Sequence, residues 1–275
     1  RATWRCALST ASGSMPITCL QARRGWQTID LARLWRFRDL LLFMALRDIK
    51  VRYKQTALGA VWAVLQPFAM MVVIAVFLGR FTGVTSPVFL YAGLLPWTFF
   101  AASVNGSTNS LVSNAAMLRK IYFPRLILPV AAVGAPLMDY MVAFTVLAGL
   151  MAWYGVAPTF DILLLPLLVL LTVVAALGVG VTLSAMTVRF RDFRYVVPFL
   201  IQVMFFATPV IYPIHLPWLV RLNPMGGTIA AFRATVTGEP IDFVALACSG
   251  AIACIMLAVG LALFARAERK FADLV

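Results

Sequence analysis

Apolar residues in this chain come in long runs, separated by short polar segments rich in arginine and lysine. Six runs stand out, at approximately 58–79, 88–111, 127–154, 162–188, 196–212 and 243–265. A helix that crosses the hydrocarbon core of a bilayer needs roughly 20 apolar residues. Backbone N–H and C=O groups find no partner in lipid, so each run is expected to be an α-helix. The run at 196–212 is the shortest and is expected to extend past its apolar limits. The run at 88–111 is apolar only in its first half, because the second half carries Ser103, Asn105, Ser107, Thr108, Asn109 and Ser110. The expected fold class is an all-α integral membrane protein of six spans.

Two further elements are expected outside the spans. Helical spacing puts Leu31, Leu34, Trp35, Leu41, Leu42, Ala45, Leu46 and Ile49 on one side, with Arg33, Arg36, Arg47, Lys50 and Lys54 opposite. This pattern predicts a basic amphipathic helix over 31–56, lying in the cytoplasmic membrane interface. It serves either as a surface anchor or also as a contact for a cytoplasmic partner. The second element follows Asn223 and Pro224, a helix-start pair, and runs to Thr237, where Gly238 ends it. Fourteen residues make roughly 21 Å of helix, too short to cross. With Pro209, Pro213 and Pro217 breaking the approach, a re-entrant outer gate is expected. A helix resting on the outer leaflet is the alternative. Gly226 and Gly227 are expected to weaken that helix.

The domain organisation that follows is an extension at 1–30, the interface helix at 31–56, a six-span domain at 57–270 and a tail at 271–275. The first 14 residues are small, polar and aperiodic, so Met15 is a candidate natural start. No apolar core follows the early arginines, so a signal peptide is not expected.

Composition supports a membrane class. The chain of 275 residues is 63% hydrophobic and 12% charged, against about 45–50% and about 25% for soluble domains. A formal net charge of +13 could suggest nucleic acid. The placement of the charges argues against it. With the N-terminus in the cytoplasm and six crossings, 20 of the 23 basic residues fall on the cytoplasmic side. Only Arg80, Arg221 and Arg233 remain outside. Such asymmetry is the positive-inside rule and predicts an N-in, C-in topology. Cys6, Cys19, Cys248 and Cys254 show no metal-ligand spacing and read as free thiols.

Little chemistry is on offer. Asp139 is the one acidic residue well inside a span, suited either to function or to a helix-to-helix hydrogen bond. His215 is the only histidine, in a loop. There is no GxxxxGK[ST] phosphate loop and no paired intramembrane carboxylates, so no catalytic residue, no metal site and no cofactor are assigned to this chain. Uphill movement of a substrate would need a partner that supplies energy. The loop between the second and third runs is the expected contact, with charge from Arg119, Lys120 and Arg125. Tyr122 and Phe123 are read as exposed aromatic anchors. An ordinary positive-inside loop is the alternative. Conduit candidates are Ser103, Ser107 and Ser110 at helical spacing, the aromatics Tyr91, Trp97, Phe199 and Tyr212, and Asp139. Small hydroxyl residues also favour tight helix seams, and aromatics also form interfacial belts.

Several stretches resemble one known family. They are LRDIKVRYKQT at 46–56, LGAVWAVLQP at 58–67, YAGLLPW at 91–97, KIYFPR at 120–125, VRFRDFRYVVP at 188–198, and PVIYP at 209–213. Asn223-Pro-Met225 with Phe232-Arg233 completes the set. Together they resemble the membrane subunit of type-2 ABC exporters that carry lipid-linked polysaccharides. The resemblance covers roughly residues 31–270. It implies a homodimer with a conduit between protomers, each docked on a separate cytoplasmic ATPase that binds ATP and magnesium. It also implies an undecaprenyl pyrophosphate-linked polysaccharide as substrate. Arg47, Lys50, Arg52 and Lys54 at the cytoplasmic edge could attract the pyrophosphate, or pair with anionic headgroups. An exporter of a small lipid or drug remains an alternative. So does a membrane enzyme of lipid-linked sugars, although its candidates Asp48, Asp161, Asp192 and Asp242 are isolated in sequence.

Overall fold

The computed structural model describes residues 35–54, 60–79, 86–118, 120–121, 123–157, 159–190, 192–211 and 217–268. Among the described residues every regular element is helical. Four helical stretches are long and apolar enough to cross a membrane: Pro87–Ser113, Ile127–Trp153, Phe160–Arg189 and Phe243–Glu268. The first and fifth predicted runs appear as shorter apolar helices, Val61–Phe77 and Phe193–Ala207.

Helix α1, Arg38–Lys54, packs against the segments Ile127–Ala131 and Gly134–Trp153. Helix α2, Ala60–Val73, accommodates Pro67 and passes into a π-helical turn at Ile74–Leu78. Helix α3, Pro87–Ser113, starts from Ser86, whose Oγ accepts the Phe89 N–H at 3.5 Å, with Pro87 in the first turn. α3 is the central helix. It packs against α2, the short α4 (Ile127–Ala131), α5 (Gly134–Trp153) and α6 (Leu165–Arg189). It also meets α7 (Phe193–Ala207) and α9 (Gly226–Thr237). In its polar half Thr108 and Asn109 donate back to the carbonyls of Val104 and Asn105 at 2.7 and 3.0 Å, while Ser103 Oγ and Asn109 Oδ1 are buried without a partner among the described residues.

Helix α10, Phe243–Glu268, begins at Asp242, whose Oδ1 accepts the N–H groups of Val244 and Ala245 at 3.0 Å each. It packs along α6 through glycines. A Cβ on Gly178 would stand 2.8 Å from the Leu257 nitrogen, and one on Gly260 would stand 2.5 Å from Thr182 Oγ1. Where lipid removes the hydrophobic drive between helices, such close backbone approach supplies dispersion contact instead. Large apolar side chains point outward from α2 with its π-helical turn, α7 and α10, including Phe68, Phe77, Phe199, Val203, Ile255 and Val259.

The segment after α7 builds a layer at the end of the bundle where α3 starts. It comprises α8, Pro217–Leu222, and α9. α9 is buried along most of its length. Gly226 and Gly227 stand in its first turn, in close approach to their neighbours. A Cβ on Gly226 would meet the Val220 carbonyl oxygen at 2.5 Å, and one on Gly227 would overlap the Ala245 carbonyl. Both glycines let α9 sit against α8 and α10. Gly238 ends α9 in the left-handed conformation, φ 77°.

The predicted two-faced pattern of α1 is not what forms. Met44 is buried and Ala45 packs on α5, where a Cβ on Gly134 would stand 2.9 Å from Ala45 Cβ. Leu42, Phe43 and Leu46 are exposed on the other side with Lys50 and Lys54. Apolar residues therefore occupy both sides, one for the bundle and one for the surroundings.

Candidate translocation groove and the Asp139 site

Asp139 sits on α5, largely buried, and the C-terminal end of α1 comes to it. Arg52 Nη2 lies 2.8 Å from Oδ2. Tyr53 donates its hydroxyl to Oδ1 at 2.6 Å. A carboxylate removed from water needs such partners, because an unpaired buried charge is strongly unfavourable. Burial, and then the hydrogen bond to Asp139, push the Tyr53 phenol up to about 12, so it stays a donor at neutral pH. A small cavity of about 40 Å³ beside the pair also touches Gln66, Thr98 and Tyr140.

The serine stripe of α3 lies on a helix seam. Ser107 Oγ donates to the Pro129 carbonyl at 2.8 Å, and a Cβ on Gly180 of α6 would stand 2.7 Å from Ser107 Cβ. Ser110 donates to the Ser107 carbonyl at 2.7 Å. Ser103 is buried as well. Tyr91 is fully buried and donates to the Ala143 carbonyl at 3.3 Å. These residues point away from the open side of the bundle.

That open side is a groove of about 420 Å³ between α2, α3 and α7. Trp97, Thr98 and Asn105 of α3 form its floor, with Gln66 on α2 and Gln202, Phe205 and Phe206 on α7. Trp97 packs against Phe205 with ring centroids 5.7 Å apart. Of the conduit candidates, Trp97 lines this groove. Phe199 lies on the outward face of α7, and Tyr212 lies outside the described residues. Gln66 and Gln202 are not among the sequence candidates, although each is a lone amide in an apolar run, which is a usable signal.

At the other end of α3, the chain turns back at Pro124. Phe123 is not the exposed anchor expected: it is 5% exposed, packed with Leu126, Val181 and Phe264, with Phe37 and Leu41 of the α1 region against the same cluster. The Arg125 N–H reaches Glu268 at the end of α10, 3.4 Å away. Lys120 and Ile121 are exposed. Arg119 and Tyr122 lie outside the described residues. Of the four edge cations, Arg47 pairs with Asp48 at 2.8 Å and Arg52 with Asp139. Lys50 and Lys54 are exposed and make no ion pair among the described residues.

Arg233 on α9 is 3% exposed. Its Nη2 donates to the Pro209 carbonyl at 2.6 Å and its guanidinium sits 4.3 Å from the Phe89 ring centroid. Asn223 donates to Thr208 at 2.7 Å and accepts from the Met225 N–H at 2.9 Å. These two side chains tie the broken end of α7 to α9.

The model of the ABC-2 type transporter family matches residues 39–237, from the start of α1 to the end of α9. The chain belongs to this family. Curated relatives agree over almost their whole length. It is 30% identical to the O-antigen export system permease protein RfbA of Myxococcus xanthus, across 87% of this chain and 96% of the relative. It is 29% identical to RfbA of Klebsiella pneumoniae, across 86% and 95%. The polysialic acid transport protein KpsM of Escherichia coli is 27% identical, across 81% and 91%. As an ABC-2 membrane subunit, the chain is a multi-pass protein of the bacterial inner membrane. The ABC-2 match encloses the groove, the α3 seam, the Asp139 pair and the α9 layer alike.

Proposed function

We propose that this chain is the membrane-spanning subunit of an ATP-driven exporter of a lipid-linked polysaccharide, an O-antigen or capsule chain on undecaprenyl pyrophosphate. The observation that carries this reading is the groove. Gln66, Asn105 and Gln202 offer amides, and Trp97, Phe205 and Phe206 offer rings. Sugars present hydroxyls that amides bind and apolar C–H faces that aromatic rings cover. The names of the relatives point the same way.

One copy supplies only one wall. The exposed apolar faces of α2 and α7 flank the groove, and a second copy related by a two-fold axis would close it into a conduit. α2 and α7 complete six crossings in this reading, with local bilayer thinning and snorkelling flanking residues absorbing their short apolar lengths. The basic residues favour α1, the loop before α4 and the end of α10 on the cytoplasmic side. Two copies of a P-loop ATPase, holding ATP and magnesium, dock there. Arg119, Lys120, Tyr122 and Arg125 make the contact, and Phe123 anchors the loop from within. Lys50 and Lys54 are the cations left to attract the pyrophosphate, since Arg47 and Arg52 already face carboxylates.

Deleting the gene in its native host tests the reading. Lipid-linked glycan should accumulate on the cytoplasmic leaflet and return to the surface on complementation. Trp97→Ala or Gln202→Leu should complement at least tenfold more slowly. Normal surface glycan in the deletion strain would sink the assignment. Transport of small lipids but no glycan by the reconstituted complex would favour the small-lipid exporter instead.

A further inference from the structure

A separate cavity of about 380 Å³ lies beneath α1, walled by α1, α3 and α4. Its size falls within the usual range for small-molecule sites, about 300–1,000 Å³. Arg47, Asp48 and Asn114 form its polar side, and Met44, Val51 and Leu128 its apolar side. Arg47 Nε and Nη2 both donate to the same oxygen, Asp48 Oδ1, at 3.0 and 2.8 Å, and Nη2 also donates to Asn114 Oδ1 at 3.1 Å. Arg47 Nη1 and Asp48 Oδ2 make no hydrogen bond with any described residue. Both side chains remain about a third exposed.

The cavity therefore presents a cation and an anion side by side, each with bonding capacity left, above an apolar wall. A pyrophosphate or other multiply charged anion fits poorly, because Asp48 repels it. A ligand that carries both signs at short separation, with an apolar tail, fits both groups at once. We propose that this cavity binds the headgroup of a primary-amine zwitterionic phospholipid of the phosphatidylethanolamine class. The phosphate takes Arg47 Nη1 as a charge-assisted donor, and the ammonium donates to Asp48 Oδ2. The exposed Leu42 and Leu46 continue at four-residue spacing into Lys50 and Lys54. Apolar residues followed by lysines that can snorkel put α1 at headgroup depth, within reach of bilayer lipid. A lipid held there bridges α1 to α3 and α4. The site stands whether or not the exported molecule is a polysaccharide.

The test is native mass spectrometry of the full chain in detergent, equilibrated with equimolar phosphatidylethanolamine, phosphatidylcholine and phosphatidylglycerol of matched acyl chains. Phosphatidylethanolamine should be retained about tenfold in preference to each of the others. Phosphatidylcholine has the same net charge but no N–H for Asp48, so this comparison needs no altered protein. Asp48→Asn should bring the ethanolamine-to-choline ratio close to one, and Asp48→Glu should restore it. Equal retention of the two zwitterions would overturn the proposal. So would a preference for phosphatidylglycerol, or a ratio untouched by Asp48→Asn. A glycan-export assay reports separately on the transport reading.

Discussion

Asp139 shows what a single carboxylate can do at the edge of a bundle. Its partners lie on α1, 86 residues away in the case of Tyr53, so the pair closes a long loop rather than bracing a local turn. Arg52→Ala leaves a largely buried carboxylate with only the phenol, and because Arg52 is itself half exposed the loss of stability in detergent should be about 1–3 kcal/mol. Arg52→Ala with Asp139→Asn should recover most of that loss, because the orphaned charge disappears with its partner. Thermal unfolding of the four proteins in the cycle measures the coupling. Additive losses would show that the ion pair contributes nothing. The Tyr53 phenol gives a pH test at the same node. Its ordinary value is 10.0 and the fold raises it to about 12. The neutral phenol is the form the fold favours. Its contribution is thus fully present below pH 10 and is lost as the pH rises through about 12. Phenolate absorbance, taken as the difference from Tyr53→Phe, should show one tyrosine titrating in that window.

Helices in this protein approach one another through glycine, and the element scale is where that can be measured. Gly178→Ala places a methyl group against the backbone of α10, and Gly227→Ala places one on the Ala245 carbonyl. Each should cost about 1–3 kcal/mol by overpacking. A methyl group added at Gly149 on α5 would find nothing within 4 Å, so Gly149→Ala should be neutral or stabilising by about 0.5–1 kcal/mol. Melting temperatures of the three variants in one detergent separate close packing from simple helix propensity. A uniform response would remove the close-approach argument. The same packing decides the serine stripe. Periodicity puts Ser103, Ser107 and Ser110 on one face of α3, but it does not name the neighbour. The neighbours are α4 and α6: the Ser107 hydroxyl bonds across to the Pro129 carbonyl, the Ser110 hydroxyl bonds within α3, and the Ser103 hydroxyl is buried without a partner among the described residues, while the groove forms on another face around Trp97 and Asn105.

Over the whole molecule, the proposed six-crossing topology puts the loops around 119 and 191 on one side of the membrane. Arg119→Cys and Arg191→Cys should both react with an impermeant thiol reagent in inside-out vesicles and stay unlabelled in intact cells. Labelling from opposite sides would break the six-crossing topology. Charge reversal at Arg119 and Lys120 should reduce copurification of the ATPase partner at least tenfold while leaving the membrane subunit folded. Undiminished copurification, with normal ATPase stimulation, would place docking elsewhere. The shared cluster of Phe123, Phe264 and Phe37 joins the loop, α10 and the α1 region. Force applied at the loop should therefore reach all three together.

Run length and the stop at Gly238 are both readable in the linear chain. Each depends on local sequence or on the solvent a segment meets. The family is legible as well, because its motifs are contiguous stretches. Tertiary structure alone decided that Phe123 turns inward, that Asp139 faces Arg52, and that Gly226 and Gly227 hold α9 in place. It also decided which side of α3 opens into a groove. The physical reason is common to all four. A helical repeat specifies the direction in which a side chain points, whereas its role depends on what stands there, and that is set by helices distant in sequence.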